Sequence, residues 1–225
     1  MLKLKRILYK ISVWFFGLSV GLVVFFKFVP VPFTPLMGIR IIENKLDKKP
    51  IYFEHNWEPI ENISMNLQKA VIASEDGTFL HHHGFDFSAM QKAFQNNASG
   101  KRIKGGSTIS QQTAKNVFLW QGRSYFRKAL EAYFTVLIEL IWGKERSMEV
   151  YLNSMEMGDG IYGAHAATQY WYGKDASSLT KIQAAGIAAI LPNPRKFKAS
   201  NSSAFINRRK ERIVRVMRHI GTIEY

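Results

Sequence analysis

The feature that most constrains this chain is an apolar run near its N-terminus. Residues 7–29 are strongly apolar, and residues 11–26 contain no charged side chain. A helix of about 20 apolar residues is long enough to cross a bilayer. Because basic residues precede the run, we expect a cytoplasmic N-terminus and an exterior location for the rest of the chain. This pattern predicts a cytoplasmic basic tail at residues 1–10 and a transmembrane anchor at residues 11–29.

A cleaved signal peptide is the alternative interpretation of the same run. The run is long for a signal peptide, and residues 29–35 offer no small-x-small cleavage site. The three prolines in that stretch predict a stiff exit from the membrane. An uncleaved anchor is therefore favoured, followed by a membrane-proximal linker at residues 30–63 and one exterior domain at residues 64–225.

Charge and cysteine content narrow the classes of function. The chain has no cysteine, which excludes disulfides, thiolate catalysis and cysteine-ligated zinc. Its formal net charge is +14, of which six positive charges and no acid lie in residues 1–40, leaving +8 for the remainder. Such a surface favours a polyanionic partner: nucleic acid, anionic lipid or a phosphorylated substrate. Charge alone does not choose among these three.

Apolar periodicity predicts helices almost exclusively from residue 65 onward. The expected helices cover residues 67–74, 88–97, 124–142, 147–155, 162–172, 180–191 and 203–220, with one more opened by the capping box Thr108-x-x-Gln111. The helix at 203–220 is basic and amphipathic. A mainly α-helical exterior domain is therefore expected.

The strongest helix prediction is residues 124–142, which carry two parallel stripes. The apolar stripe, expected to be buried, is formed by Phe126, Leu130, Tyr133, Phe134, Leu137, Ile138 and Ile141. The polar stripe beside it, with residues four apart, is formed by Arg127, Glu131, Thr135 and Glu139. Side-chain periodicity therefore predicts a helix whose apolar stripe is buried and has the polar stripe beside it.

Two short stretches contain the residue types that chemistry needs. Residues 73–84 place the carboxylates of Glu75 and Asp76 at the end of an apolar helix. Residues 105–116 open with two glycines and then turn Gln112 and Lys115 towards one helix face. A proton-accepting carboxylate opposite a cationic, polar face is suited to displacing a phosphate leaving group.

These stretches belong to five motifs that occur in order along residues 67–197. The motifs are Glu75-Asp76-x-x-Phe79-x-x-His82-x-Gly84, Gly105-Gly-Ser-Thr-Ile-x-x-Gln112-x-x-Lys115-Asn116, Arg127-Lys128-x-x-Glu131, Tyr151-Leu-Asn153 with Gly158-x-Gly160-x-x-Gly163, and Ala188-x-x-Leu191-Pro192-Asn193-Pro194. Together they resemble the motifs of the monofunctional, membrane-anchored, biosynthetic peptidoglycan glycosyltransferases. The resemblance implies a lysozyme-like helical glycosyltransferase domain carried on one N-terminal transmembrane helix.

The resemblance also assigns roles to individual residues. Glu75 would be the general base for the acceptor hydroxyl, and Glu131 would assist at the donor diphosphate. An intrahelical salt bridge with Arg127 or Lys128 is the structural alternative for Glu131, and both roles can hold together. The cations that would bind the diphosphate are Lys115, Arg123, Arg127 and Lys128. Polar substrate contacts would come from Ser107, Thr108 and Gln112, of which the first two can equally be helix caps. Asp76 is either a metal-contacting acid or a cap.

The reaction implied is polymerisation of lipid II into β-1,4 glycan strands, with inversion at the donor sugar and release of undecaprenyl diphosphate. No cofactor is essential, and a divalent cation, magnesium or manganese, assists in some relatives. Expected partners are lipid II, the growing glycan strand and membrane lipid, with cell-division or elongation proteins as further candidates and no nucleic acid. Moenomycin, a mimic of the donor strand, should inhibit. No transpeptidase domain is expected.

Other interpretations of the residues compete with this one. A membrane-anchored glycan hydrolase also needs a glutamate acid in a helical cleft, but it does not need the four cations. A non-enzymatic anchor protein would use the basic C-terminal helix for nucleic acid or lipid. The run His81-His82-His83 has the residue type of a zinc site, yet adjacent histidines rarely reach one ion, so we expect His82 to be a structural hydrogen-bonding residue.

Overall fold

The computed structural model describes residues 2–98, 105–122 and 124–225, and the described chain is mainly α-helical. The helices are α1 (Leu2–Phe28), α2 (Pro35–Leu46), α3 (Met65–Glu75), α4 (Phe87–Ala98), α5 (Ile109–Phe118), α6 (Tyr125–Ile141), α7 (Gly143–Ser154), α8 (Ala164–Tyr172), α9 (Lys181–Ile190) and α10 (Ala204–Met217). The strands are β1 (Glu54–His55), β2 (Glu156–Gly158) and β3 (Ile161–Tyr162). The mainly α prediction is confirmed.

Short polar side chains begin several of these helices at the positions that the sequence indicates. Thr108 and Thr180 each form a capping box. The threonine hydroxyl accepts a hydrogen bond from the backbone N–H three residues on, and the glutamine side chain at that position accepts one from the threonine backbone N–H. Ser124 and Ser203 cap α6 and α10. The predicted box at Thr108 is therefore confirmed, and it fixes where α5 starts.

Helix α1 is both a candidate membrane anchor and a packing partner of the domain. Among the described residues, one helix, Lys3–Phe28, is long and apolar enough to cross a membrane. The indole N–H of Trp142 donates to the Val23 carbonyl oxygen at 2.7 Å, and the hydroxyls of Ser19 and Tyr133 lie 2.7 Å apart. The C-terminal half of α1 consequently packs along α6.

The segment predicted as a linker, residues 30–63, contains regular structure that packs on the domain. Helix α2 is tied to β2 by Arg40, whose Nε donates to Glu156 at 3.1 Å. Strand β1 pairs in parallel with β3, which pairs antiparallel with β2 in the order β1-β3-β2. The chain before β1 passes close to the turn before β3, and Gly160 makes this approach possible. Its φ is +75°, and a β-carbon there would lie 2.1 Å from the Tyr52 carbonyl oxygen.

Among the described residues, two large apolar clusters form most of the core, and α5 contributes to both. A third, small cluster contains Leu36, Met37 and Tyr162. The larger cluster gathers α3, α7, α9 and α10, and the smaller one gathers α1, α5 and α6. Ile109 at the start of α5 belongs to the larger cluster, whereas Ala114 and Val117 belong to the smaller one. The residues between them, which include Gln112, consequently lie where the two clusters meet.

The burial of residues on α6 differs from the prediction. Its buried residues are Arg127, Glu131, Phe134, Thr135 and Ile138, so the polar stripe is largely inside. Phe126, predicted to be buried, is 68% exposed. The polar stripe tolerates burial because its members are paired: Arg127 bonds Glu131, and Ser110 of α5 bonds Glu139. The apolar residues Leu130, Tyr133, Leu137 and Ile141 are half-buried around the smaller cluster.

Candidate active site

Glu75 is the last residue of α3, and its side chain reaches the junction of the two clusters. Buried apolar residues on α3 hold the helix against α9 and α10. The Glu75 side chain is 15% exposed. Ser74 Oγ donates to Glu75 Oε1 at 2.9 Å, and Gln112 Nε2 approaches Glu75 Oε2 at 3.4 Å. The carboxylate is therefore oriented from both sides and still open to solvent.

Asp76, the neighbouring carboxylate, connects the end of α3 to the start of α5. It is buried and accepts a hydrogen bond from the backbone N–H of Ile109 at 2.9 Å. His82 Nε2 lies 3.0 Å from each of its oxygens. These contacts match the structural interpretations of Asp76 and His82, since both carboxylate oxygens are used by protein groups. Within the described ranges, no three His, Cys, Asp or Glu side chains form a metal-binding group.

Thr108 is occupied by the cap of α5, whereas Ser107 is exposed. The Thr108 hydroxyl accepts from the Gln111 backbone N–H at 3.2 Å and donates to the Gly84 carbonyl oxygen at 2.6 Å. Thr108 itself is almost entirely buried. Of the two roles left open by the sequence, the structure shows the cap for Thr108, and it leaves the Ser107 side chain accessible.

Lys115 lies one turn after Gln112 on α5 and is half-buried. Burial lowers the pKa of Lys115 from its ordinary 10.5; the charge of Glu131 opposes this effect, and the charges of Arg127 and Lys128 add to it. Lys115 forms no salt bridge with any acid in the described part of the chain. An ammonium held beside other cations in this way is suited to receive an additional anion.

Glu131 gathers two of the predicted cations on α6. It is 3% exposed and accepts from Arg127 Nη1 at 2.7 Å and from the Lys128 ammonium. Arg127 also donates through Nε to the Gly122 carbonyl oxygen at 2.9 Å. The intrahelical salt bridge expected for Glu131 is therefore present. Because Arg127 is held by two acceptors, its guanidinium is pre-oriented rather than free to rotate.

One predicted cation falls outside the part of the chain that the structure describes. That residue is Arg123, which separates the described ranges 105–122 and 124–225. The other predicted site residues lie on three pieces of the same junction. Glu75 belongs to α3, Gln112 and Lys115 to α5, and the Arg127–Glu131 pair to α6.

Tyr151 belongs to the fourth motif, but the sequence indicated no role for its side chain. Tyr151 is fully buried on α7, and its hydroxyl donates to Gln112 Oε1 at 3.4 Å. Burial raises the pKa of Tyr151 well above its ordinary value of 10.0, and the negative charges of Glu75 and Asp76 raise it further. The phenol thus stays protonated and orients the amide that faces Glu75. Its place in the fourth motif is the signal that could have found it, because α7 is largely polar and offers no distinctive local pattern.

Arg209 was missed as well, because the motifs end before α10. Its Nη2 lies 3.6 Å from Glu75 Oε1 and 3.2 Å from Ser74 Oγ. The sequence signal was present only as a basic amphipathic helix, interpreted as a candidate polyanion-binding surface. The structure instead places one of its arginines beside the carboxylate.

Taken together, the site contains a solvent-accessible carboxylate beside Arg209 and Gln112, and a group of cations around Lys115 on helices α5 and α6. A carboxylate at hydrogen-bonding distance from a hydroxyl can remove its proton. Fixed cations can stabilise negative charge that develops on a departing phosphate oxygen. The arrangement therefore suits transfer of a group from a phosphorylated donor to a hydroxyl acceptor.

Comparison with known proteins supports this chemistry independently. A family model described as Transglycosylase matches residues 44–218. A biosynthetic peptidoglycan transglycosylase of Caulobacter vibrioides is 54% identical over 191 residues, covering 85% of this chain and 81% of the relative. One from Pseudomonas syringae pv. syringae is 50% identical over 222 residues, covering 99% and 94%. One from Bdellovibrio bacteriovorus is 48% identical over 211 residues, covering 94% and 84%.

Proposed function

Because the chain belongs to the transglycosylase family and polymerises peptidoglycan glycan strands, we propose that Glu75 is its general base and that cations on α5 and α6 bind the donor diphosphate. The substrates are lipid II and the growing glycan strand. One observation carries the assignment. Glu75 at the end of α3 contacts Gln112 of α5, and Lys115, one turn further along α5, faces the charged residues of α6. Within the described ranges, the Lys115 ammonium pairs with no acid.

The proposed chemical step is one direct displacement. The 4-hydroxyl oxygen of the acceptor N-acetylglucosamine bonds to C1 of the donor sugar while the bond from C1 to the diphosphate oxygen breaks. Glu75 Oε2 takes the hydroxyl proton, and undecaprenyl diphosphate leaves with the bonding electrons. Because an α-linked donor gives a β-1,4 product in one step, no covalent glycosyl-enzyme is formed. Gln112, oriented by Tyr151, keeps the carboxylate directed at the acceptor.

The leaving group needs charge neutralisation, which the α5–α6 cations would supply. Negative charge on the departing diphosphate grows towards the transition state, so fixed cations there lower the barrier. Lys115 would contact the diphosphate directly, and Glu131 would hold Arg127 and Lys128 in position beside it. Arg123, in the connection before α6, and the exposed Ser107 are proposed as further substrate contacts.

A resident metal ion does not fit the described residues at Asp76. Both oxygens of that carboxylate accept hydrogen bonds from protein groups, and His82 belongs to the same set of contacts. We therefore assign Asp76 to holding the start of α5 against the end of α3. No step of the proposed mechanism passes through a metal.

Membrane anchoring follows from α1 and from the family, and the orientation is part of the proposal. Basic residues precede the apolar run of α1, which favours a cytoplasmic N-terminus and an exterior catalytic domain. A substrate with a lipid tail stays in the membrane plane, so an anchored enzyme meets it there. A reporter that works only outside the cytoplasm should be active when it is fused after Tyr225. Activity of a reporter that works only in the cytoplasm would contradict the orientation.

The experiment that tests the proposed function uses the purified full chain and labelled lipid II. We expect lipid II to be consumed, undecaprenyl diphosphate to be released and a muramidase-sensitive glycan to appear, with inhibition by moenomycin. Release of soluble fragments from finished sacculi without lipid II consumption would select the hydrolase interpretation instead.

A further inference from the structure

The C-terminal helix α10 contributes a charged residue to the neighbourhood of the proposed base. Arg209 Nη2 lies 3.6 Å from Glu75 Oε1 and 3.2 Å from the Ser74 hydroxyl oxygen. The same Ser74 hydroxyl donates to Glu75 Oε1 at 2.9 Å. Arg209, Ser74 and one oxygen of the carboxylate thus form a closed triangle of polar contacts.

The amphipathic pattern of α10 explains how an arginine far along the chain reaches this position. Ile206, Ile213 and Met217 are buried and pack the helix against α3 and α9. Arg209 follows Ile206 by three residues, so it lies at the edge of the buried face. Its side chain is 28% exposed, which leaves its apolar stem packed and its guanidinium at the junction.

We propose that Arg209 is a positioning residue for the base: with Ser74 it holds Glu75 Oε1, so that Oε2 is presented to the acceptor hydroxyl. This inference rests on the proposed function of Glu75. The two oxygens of the carboxylate have separate partners, since Gln112 approaches Oε2 while Arg209 and Ser74 approach Oε1. A carboxylate fixed in this way does not need to reorient before it accepts a proton.

The charged and titratable groups around Glu75 show why a cation at Arg209 matters. Asp76 next to it in the chain and Tyr151 on α7 are the titratable neighbours, and Gln112 of α5 is neutral. The Asp76 carboxylate can carry a negative charge beside Glu75, whereas the protonated Tyr151 phenol is neutral. Among the described residues, Arg209 is the cation that forms an ion pair with Glu75. Its guanidinium therefore attracts Oε1 from the side of α10.

The test compares three variants of the full chain in lipid II polymerisation. Arg209→Gln removes the charge, Arg209→Lys keeps it without the planar fork, and Arg215→Gln is the matched control, because Arg215 is exposed on another face of α10. Each variant is measured for kcat and KM separately and for thermal unfolding.

We expect Arg209→Gln to lower kcat at least about tenfold with little change in KM. Arg209→Lys should recover part of the loss, since it restores the charge. The control should behave like the wild type, and the unfolding midpoints should stay close together. If Arg209→Gln does not fold, a kcat of Arg209→Lys below that of Arg215→Gln at unchanged KM still supports the positioning role.

Two results would overturn the proposal. One is identical kinetics for Arg209→Gln and Arg215→Gln. The other is a rise in KM with kcat unchanged, which would make Arg209 a substrate contact. Either result leaves the proposed function intact as long as the wild type polymerises lipid II and Glu75→Gln does not.

Discussion

Lys115 offers the most informative perturbation of the diphosphate site, because it is a half-buried cation without an acidic partner in the described chain. Replacing it by alanine removes one charge-assisted contact to the leaving group. Contacts of that kind contribute about 1.5–3 kcal/mol. At about 1.4 kcal/mol for each factor of ten, we expect kcat/KM to fall by about 10- to 100-fold. Because leaving-group charge is greatest in the transition state, most of the loss should appear in kcat.

The pH dependence gives the same residue a second, independent test. Burial lowers the pKa of Lys115 below its ordinary 10.5, so the free enzyme loses this proton at a lower pH than exposed lysines do. If the protonated form is required, kcat/KM must fall as pH rises through that lowered pKa. Lys115→Arg keeps its charge at all accessible pH values, so the alkaline limb should disappear even though turnover recovers only in part.

The assay is lipid II polymerisation at saturating and limiting substrate, with moenomycin affinity by fluorescence anisotropy as a binding readout. Lys198→Ala is the matched control, because Lys198 is an exposed lysine on the described surface. A loss in Lys115→Ala no larger than that in Lys198→Ala would refute the role of Lys115 at the leaving group. An alkaline limb of Lys115→Arg that coincides with that of the wild type would refute it as well.

Two further predictions concern the carboxylates that hold the site together. Glu131→Ala should weaken moenomycin binding and turnover together, because it releases the Arg127 and Lys128 side chains that Glu131 now holds. A moenomycin affinity by anisotropy equal to that of the wild type would contradict this. Asp76→Asn should lower the free energy of unfolding by about 2 kcal/mol, since charge-assisted bonds to Ile109 and His82 are weakened, and denaturant titration would show it. An Asp76→Asn variant as stable as the wild type would argue against a positioning role.

Local signals explain why much of the fold was predictable. The length and polarity of α1 are visible in any window of the N-terminus, and the capping box at Thr108 uses residues only three positions apart. The position of Glu75 at the end of α3 follows from the apolar run that precedes it. These features depend on neighbours in the sequence, so no tertiary information is needed to find them.

The burial of Phe126 was predicted wrongly, and the burial of the polar stripe of α6 was not predicted, for one physical reason. Periodicity assigns burial to apolar residues, but it does not record that polar residues can neutralise one another across two helices. The Ser110–Glu139 contact joins α5 to α6, and the Arg127–Glu131 pair satisfies its own charges inside the fold. The apolar stripe is left to pack partly against α1, a contact that no local pattern indicates.

Other features were beyond sequence reasoning because they are short or distant. Strands β1 and β3 contain two residues each, too few for any alternating pattern to appear. Arg209 is separated from Ser74 by 135 positions, so only tertiary packing of α10 reveals their contact. The motif match indicated the general base Glu75. The structure added Tyr151 and Arg209, which contact the groups around it.

Glu75 is the residue on which the proposed mechanism depends most directly, and one measurement tests it. Glu75→Gln keeps the size and hydrogen-bonding shape of the side chain but removes its ability to accept a proton. We expect the folded variant to retain the wild-type unfolding midpoint and moenomycin affinity, and to lose lipid II polymerisation by at least about a hundredfold. Glycan synthesis by folded Glu75→Gln at a rate near that of the wild type would contradict the assignment of the general base.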